Sequence, residues 1–166
     1  MANVTYSSAE VAISWGPIPF ESLGQDTFVT VSENTPSTTN KVGADGKLST
    51  SISPDETGSV QIILQDVGVT SKILSGIYGA QKQRLIPGVS LIRLPMVISD
   101  PAGTLLAFFN GAHIMSIEDF SLGKESSDRA FNFHIEQLIY TGAPSGLATG
   151  IADIQRNIGD FITGNT

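Results

Sequence analysis

Short segments in which apolar and polar residues alternate recur along this chain, and they constrain its fold more than any other feature. The period of two is seen in Val11 to Trp15, Thr27 to Glu33, Lys47 to Ser53 and Phe131 to Tyr140. Residues that favour turns (Gly, Pro, Asn and Asp) follow most of them. This period is typical of half-buried β-strands. We therefore predict a mainly β protein, a β-sandwich or open barrel, and 166 residues suit one such domain.

Two segments follow a helical period instead. The apolar spacing between residues 67 and 82 predicts one mid-chain helix, which Asp66 or Thr70 is placed to cap. Near the C-terminus, a second set at helical spacing predicts a short amphipathic helix that docks on its own subunit or a neighbour: Leu147, Ile151, Ile154, Ile158 and Phe161. We accordingly divide the chain into a β-domain, residues 1–146, and a C-terminal amphipathic segment, residues 147–166.

Residues 34–46 are polar and have too few apolar side chains to bury themselves, so we expect a long loop or an extended arm. Asp45-Gly46 supplies the turn that returns the chain to the next strand. Alternation in that strand predicts that Leu48 and Ile52 face the core. The opposite, polar face of the strands is then formed by Thr30, Ser32, Lys47, Ser49, Ser51 and Ser53.

Residue combinations that carry catalysis or bind cofactors are missing from the sequence. No cysteine is present, which excludes disulfides and thiolate sites. His134 and Glu136 share a strand face, but no third residue stands at a metal-ligand spacing, and His113 lies far away in sequence. Arg93 interrupts an apolar strand, and it either pairs with a buried carboxylate, faces outward or faces a neighbouring subunit. We therefore predict no enzyme, no cofactor and no metal site, and an assembly or binding role.

Charge and hydropathy exclude further classes. The net charge of −7 disfavours a general nucleic-acid-binding protein, because it repels phosphates. The longest apolar run, Leu105 to Phe109, is far too short to span a membrane, and no signal peptide is visible at the N-terminus. We expect the subunit to remain in the compartment where it is made.

The segment from Asn40 to Gln81 resembles the tail tube proteins of contractile-tailed bacteriophages. The likeness rests on the Asn40-x-x-Gly43-Ala44-Asp45-Gly46 stretch, the alternating Ser49 to Ser53 strand, the Gly58-Ser59-Val60 strand and the helix Ser71 to Tyr78. The segment FNFHIEQLIYTG resembles the closing strand of that family, and the likeness covers about residues 25–140.

The resemblance implies a virion structural protein of the tail tube and Hcp-like superfamily, assembled in the bacterial host cytoplasm. Six copies would form a ring, and rings would stack into a tube that conducts DNA without binding it specifically. Sheath, baseplate and tail terminator proteins would be its partners. The resemblance also implies that an arm touches the adjacent ring through Asn40, Lys41, Val42, Gly43, Ala44, Asp45, Gly46 and Lys47, while Thr30, Ser32, Ser49, Ser51 and Ser53 are candidates to face the lumen.

Other functions stay open at this point. One alternative in the same class is the tube of a tailocin or of a type VI-like secretion machine. An alternative of a different class is a small ligand-binding β-sandwich module.

Overall fold

The computed structural model describes residues 8–88, 91–99 and 106–141. A single 3₁₀ turn, Ser8–Glu10, precedes the first strand. The strands and the one helix of the described residues then follow in this order: β1 Ala12–Trp15, β2 Ile18–Pro19, β3 Val29–Glu33, β4 Thr38–Val42, β5 Leu48–Ile52, β6 Gly58–Gln65, α1 Val69–Lys82, β7 Leu94–Ser99, β8 Leu106–Ile117, β9 Asp128–Ile135 and β10 Gln137–Thr141.

Eight of the ten strands form one antiparallel sheet that folds over itself into two layers. Sheet A contains β2, β1, β7, the first part of β8, and β10; sheet B contains the last part of β8, then β9, β6 and β3. Strand β8 belongs to both layers. The prediction of a β-sandwich or open barrel with one mid-chain helix is confirmed.

The chain passes from one layer to the other where Gly111 lies opposite Glu136. Asn110 pairs with Gln137 on the sheet A side, and His113 pairs with His134 on the sheet B side. Gly111 has a φ of +67° and leaves no room for a Cβ beside the Glu136 side chain. Glycine adopts this backbone conformation without strain, so it suits the bend in a long strand.

The core fills the space between the two sheets. Its largest fully buried side chains include Trp15, Met96 and Phe109 from sheet A, with Ile62, Phe131 and Phe133 from sheet B. Their alternation with outward polar residues is the physical basis of the period seen in the sequence. Burying an aliphatic or aromatic side chain contributes roughly 1.5–3 kcal/mol, so this cluster supplies the main driving force for folding.

Helix α1 connects β6 to β7 and closes one end of the sandwich. Leu74 inserts into the core, and Gln81 Nε2 donates to the Ile114 carbonyl of β8 at 3.4 Å. Asp66 and Arg129 form a 2.8 Å ion pair beside the helix, with only 13% and 11% of their side chains exposed. The predicted caps were wrong: Gly68 is the N-cap and no side chain caps it. Thr70 Oγ1 instead accepts a hydrogen bond from the Glu21 backbone N–H.

Strands β4 and β5 form a separate two-stranded hairpin, which we call the arm. The sequence predicted a long loop or an extended arm over residues 34–46, yet residues 38–42 form a strand that is paired with residues 48–52 throughout. The expectation that Leu48 and Ile52 face the core was wrong, because they are 64% and 81% exposed. The C-terminal amphipathic segment, residues 147–166, lies outside the described residues.

Candidate assembly surfaces

The outer face of sheet B is a continuous polar surface. Ser32 pairs with Ser59, Ser59 with His134, and His134 with His113, so these four side chains form one row across the strands. A second row is formed by Thr30, Gln61, Asn132 and Ser116. Hydrogen bonds join Ser32 Oγ to Ser59 Oγ at 2.9 Å and Asn132 Nδ2 to Ser116 Oγ at 3.1 Å. The face is therefore lined by small or neutral polar groups.

The two histidines of the chain meet on this face. Their ring centroids are 5.2 Å apart, although 21 residues separate them in sequence. Arg93 lies near them and forms a 2.9 Å ion pair with Glu136, in which both side chains are about half exposed. The sequence left open whether Arg93 pairs with a buried carboxylate, faces outward or faces a neighbouring subunit; in the structure it pairs with a carboxylate that is half exposed and not buried.

Burial lowers the pKa of His113 from its ordinary value of 6.5. The neighbouring positive charges of His134 and Arg93 lower it further, while the Glu136 carboxylate opposes the change. His113 is therefore held in its neutral form at neutral pH. Among the described residues, no three His, Asp or Glu side chains are grouped closely enough to hold a metal ion.

The arm has one apolar and one polar face, and solvent surrounds both. All ten residues of β4 and β5 are exposed. Val42 pairs with Leu48, and Thr38 with Ile52, which places three large apolar side chains on one face. The Asn40–Thr50 pair lies between these two pairs, and the Thr50 hydroxyl donates to Asn40 Oδ1 at 2.8 Å. The opposite face carries Thr39, Lys41, Ser49 and Ser51.

A cluster of hydrogen bonds around Asp55 ties down the base of the arm. Its carboxylate accepts from the hydroxyls of Thr35 (2.6 Å) and Thr57 (2.7 Å), and from the Thr57 backbone N–H at 3.0 Å. Asn34 Nδ2 donates to Thr57 Oγ1, and the Ser53 N–H donates to the Ser37 carbonyl at 2.8 Å. The bonds from Thr35 and Thr57 lower the pKa of the Asp55 carboxyl from 3.8 to about 2. This network fixes the two strands of the arm at their base.

The predicted functional residues fall on two separate surfaces. Thr30 and Ser32 lie on the polar face of sheet B, whereas Ser49 and Ser51 lie on the arm and Ser53 lies at its base. The predicted contact residues 40–47 occupy the end of the arm, where Gly46 has a φ of +78° in the turn. Sequence reasoning missed the cluster at Asp55. Its only signal was Asx and Thr positions in two separate turn-like segments, Asn34-Thr35 and Asp55-x-Thr57.

Neither a family model nor a curated protein matches this sequence. The fold, however, is similar to those of several solved structures. One of them is the anti-feeding prophage cap, which is described as the tube terminating cap. The match has a TM-score of 0.60 at 9% sequence identity, and it covers 86% of this chain and 95% of the cap chain.

Two structures from an extracellular contractile injection system, PVC, are also similar. A chain of the sheath/tube terminator in the extended state has a TM-score of 0.59 at 11% identity, covering 86% of this chain and 100% of that chain. A chain of the sheath-tube complex has a TM-score of 0.54 at 11% identity, covering 83% and 92%. At these identities the similarity establishes the fold alone, which this chain shares with components of contractile injection systems.

Proposed function

We propose that the chain is a structural subunit of a contractile tail or injection machine, and that its copies stack through the arm into a hollow tube. The observation that carries this proposal is the free arm with Val42, Leu48 and Ile52 exposed on one face. A two-stranded hairpin is marginal in water by itself. Covering each of these side chains would contribute roughly 1.5–3 kcal/mol, so the arm gains stability from a neighbouring subunit.

The polar face of sheet B is the surface we assign to the lumen. Most of its side chains are small and neutral, and the nearby Arg93 is paired with Glu136, so the face offers little free positive charge to DNA phosphates. Six copies would carry a net charge of 6 × −7 = −42. DNA would then pass without being held. Thr30 and Ser32 lie on this face, and we propose that Ser49, Ser51 and Ser53 extend the lining along the polar side of the arm.

Six-membered rings would form through the edge of sheet B. Within the described residues, no strand other than β6 pairs with β3, so the outer edge of β3 offers its backbone groups to another chain. A neighbour's sheet added there would join the sheets into one barrel around the lumen.

Sheath, baseplate and terminator proteins are the partners that we propose for the outside and the ends of the tube. The described residues contain no helix suited to crossing a membrane. As a separate proposal, we assign the subunit to a phage tail that is assembled in the host cytoplasm.

A second candidate is a ring that ends a tube. The two similar structures with the higher TM-scores, 0.60 and 0.59, are described as a tube terminating cap and a sheath/tube terminator. A terminator would form a ring, but further rings of the same protein would not stack on it. A tailocin or secretion tube is the alternative within the same class, and genome neighbours or the presence of a capsid would separate it from a phage tube.

Sedimentation of purified protein, with and without the arm, tests the proposal. Ser37 and Ser53 are already hydrogen-bonded across the base of the arm, so Asn-Gly can replace residues 38–52 as a two-residue turn. We expect long tubes from the wild type and single rings from the shortened chain. Single rings from both would favour the terminator, and monomers from both would contradict any ring-forming role.

A further inference from the structure

The arm lies at one end of the sandwich, and a second exposed apolar surface lies at the other. Strand β6 begins at Gly58, paired with Glu33 just before the arm, and ends at Gln65, paired with Asp128. These two ends are separated by seven residue steps, or about 24 Å. The second surface is beside Gln65 and Asp128, so the two surfaces lie at opposite ends of β6.

This second surface, which we call the base patch, consists of Val67, Phe120 and Leu122. The three side chains are 63%, 63% and 86% exposed. Leu122 and Val67 line a depression of about 380 Å³ between α1 and the β8–β9 loop, and Leu122 with Phe120 lines an adjoining one of about 350 Å³. Phe120 stacks over the Arg129 guanidinium at 4.8 Å, which holds its ring on the surface. The base patch is therefore a shallow groove, and the Phe120 ring forms one of its walls.

The charges of the arm and the groove are of opposite sign. The arm carries Lys41 and Lys47 against Asp45, which gives +1 in a chain whose net charge is −7. Residues 118–128 contain four carboxylates and Lys124, which gives −3, and Lys72 on the groove wall reduces this to −2. Asp66 and Arg129 neutralise each other. Opposite charges around two apolar surfaces favour their contact over contact between like surfaces.

From these observations we infer that the base patch receives the arm of a second copy of this chain. The inference rests on the proposed stacking and adds its acceptor. Val42, Leu48 and Ile52 lie against Val67, Phe120 and Leu122 of the next copy. Lys41, on the opposite face of the hairpin, adds to the net positive charge that attracts the arm to the acidic loop. Such a contact is head-to-tail, and because donor and acceptor are at opposite ends of the subunit, it repeats without limit. A subunit that only ended a stack would need either the arm or the base patch, and not both.

Two variants with complementary defects test the contact. The arm variant combines Leu48→Asp with Ile52→Asp and keeps an intact base patch. The patch variant combines Val67→Asp with Leu122→Asp and keeps an intact arm. All four positions are more than 60% exposed, so folding should be unchanged, as checked by melting temperature. Neither variant should stack alone. In an equimolar mixture, the intact arms of the patch variant can bind the intact patches of the arm variant, and no further layer can be added. Sedimentation should therefore show particles of two layers, with twice the mass of a single layer.

A matched control carries the same added charge elsewhere. Ser8→Asp with Gln83→Asp lies away from both surfaces and leaves the charge of the arm unchanged, so it should stack like the wild type. If the wild type forms tubes and the patch variant also does, the acceptor is wrong while the proposed function stands. If both variants fail to stack and their mixture stays single-layered, the contact is also refuted. A wild type that never stacks refutes the contact and the proposed function together.

Discussion

The indole Nε1 of Trp15 donates a hydrogen bond to the backbone carbonyl of Ala112, at 2.9 Å and 97 residues further along the chain. Both residues are fully buried. Ala112 follows the bend at which β8 leaves sheet A for sheet B, and the indole ring packs edge-on against Phe133 with centroids 5.4 Å apart. One side chain thus fixes the first strand, the bend and the opposite sheet relative to each other.

Replacing Trp15 with Phe should lower the free energy of unfolding by about 2–4 kcal/mol. The change leaves the Ala112 carbonyl buried without its donor and opens space in the core. Urea denaturation measures the loss. Phe108→Leu, at a position 37% exposed, should cost about 0.5 kcal/mol or less and serves as the control. Equal losses in the two variants would show that the Trp15 bond does not organise the core.

Removing the Asp55 carboxylate should loosen the arm without unfolding the sandwich. In Asp55→Ala the hydroxyls of Thr35 and Thr57 lose their shared acceptor, so trypsin should cut after Lys41 and Lys47 several-fold faster in the dissociated subunit. The melting temperature should change little. Glu56→Gln, at the adjacent acidic residue, should leave cleavage unchanged. Cleavage at the wild-type rate in Asp55→Ala would mean that the cluster does not hold the arm.

Acid should release the same cluster. The folded pKa of Asp55 is about 2, below the 3.8 of an unperturbed carboxyl, so its stabilising effect is complete above pH 3.8 and is lost as the pH falls towards 2. Trypsin is inactive there, so pepsin cleavage of the arm between pH 4 and pH 2 is the measurement. Wild-type cleavage should approach that of Asp55→Ala as the pH falls. A constant ratio between the two proteins would contradict this role.

His113 should make the fold less stable in mild acid. Its folded pKa is lowered, so the unfolded chain binds the proton more readily, and stability falls as the pH drops below 6.5. His134, Arg93 and Glu136 are the charged groups that face it. The urea midpoint should therefore fall from pH 7.5 to pH 5.5 in the wild type and fall less in His113→Gln. An equal fall in both proteins would assign the pH dependence to other groups.

The absence of native cysteine allows a direct probe of the proposed lumen. In assembled tubes, Thr30→Cys should react with a small maleimide but not with a maleimide attached to a protein wider than the bore. Gln83→Cys, just beyond α1, should react with both. In dissociated subunits both variants should react with both reagents. Rapid reaction of Thr30→Cys with the large reagent in intact tubes would place sheet B on the outside.

The period of two predicted the layers well because burial between two sheets imposes it directly. Phe131, Phe133 and Ile135 point into the core as their alternation required. The same rule failed at Leu48 and Ile52, where the described part of the chain supplies no element to cover the apolar face. Alternation shows that one face is apolar and cannot show what covers it.

Contacts between distant parts of the chain could not be predicted from the sequence, for a different reason. The pairing of His113 with His134 depends on strand register, which follows from the bend at Gly111 and a bulge near Met115. The base patch depends on how the β8–β9 loop lies beside α1. The helix itself was predicted within two residues of its start, because its apolar spacing is local information.

Cryo-electron microscopy of the purified wild-type protein tests the central claim most directly. The account predicts stacked rings around an open bore, with the polar face of sheet B lining the bore, α1 away from it and the arm of each subunit on the next layer. Monomers, or rings in which α1 lines the bore, would contradict it.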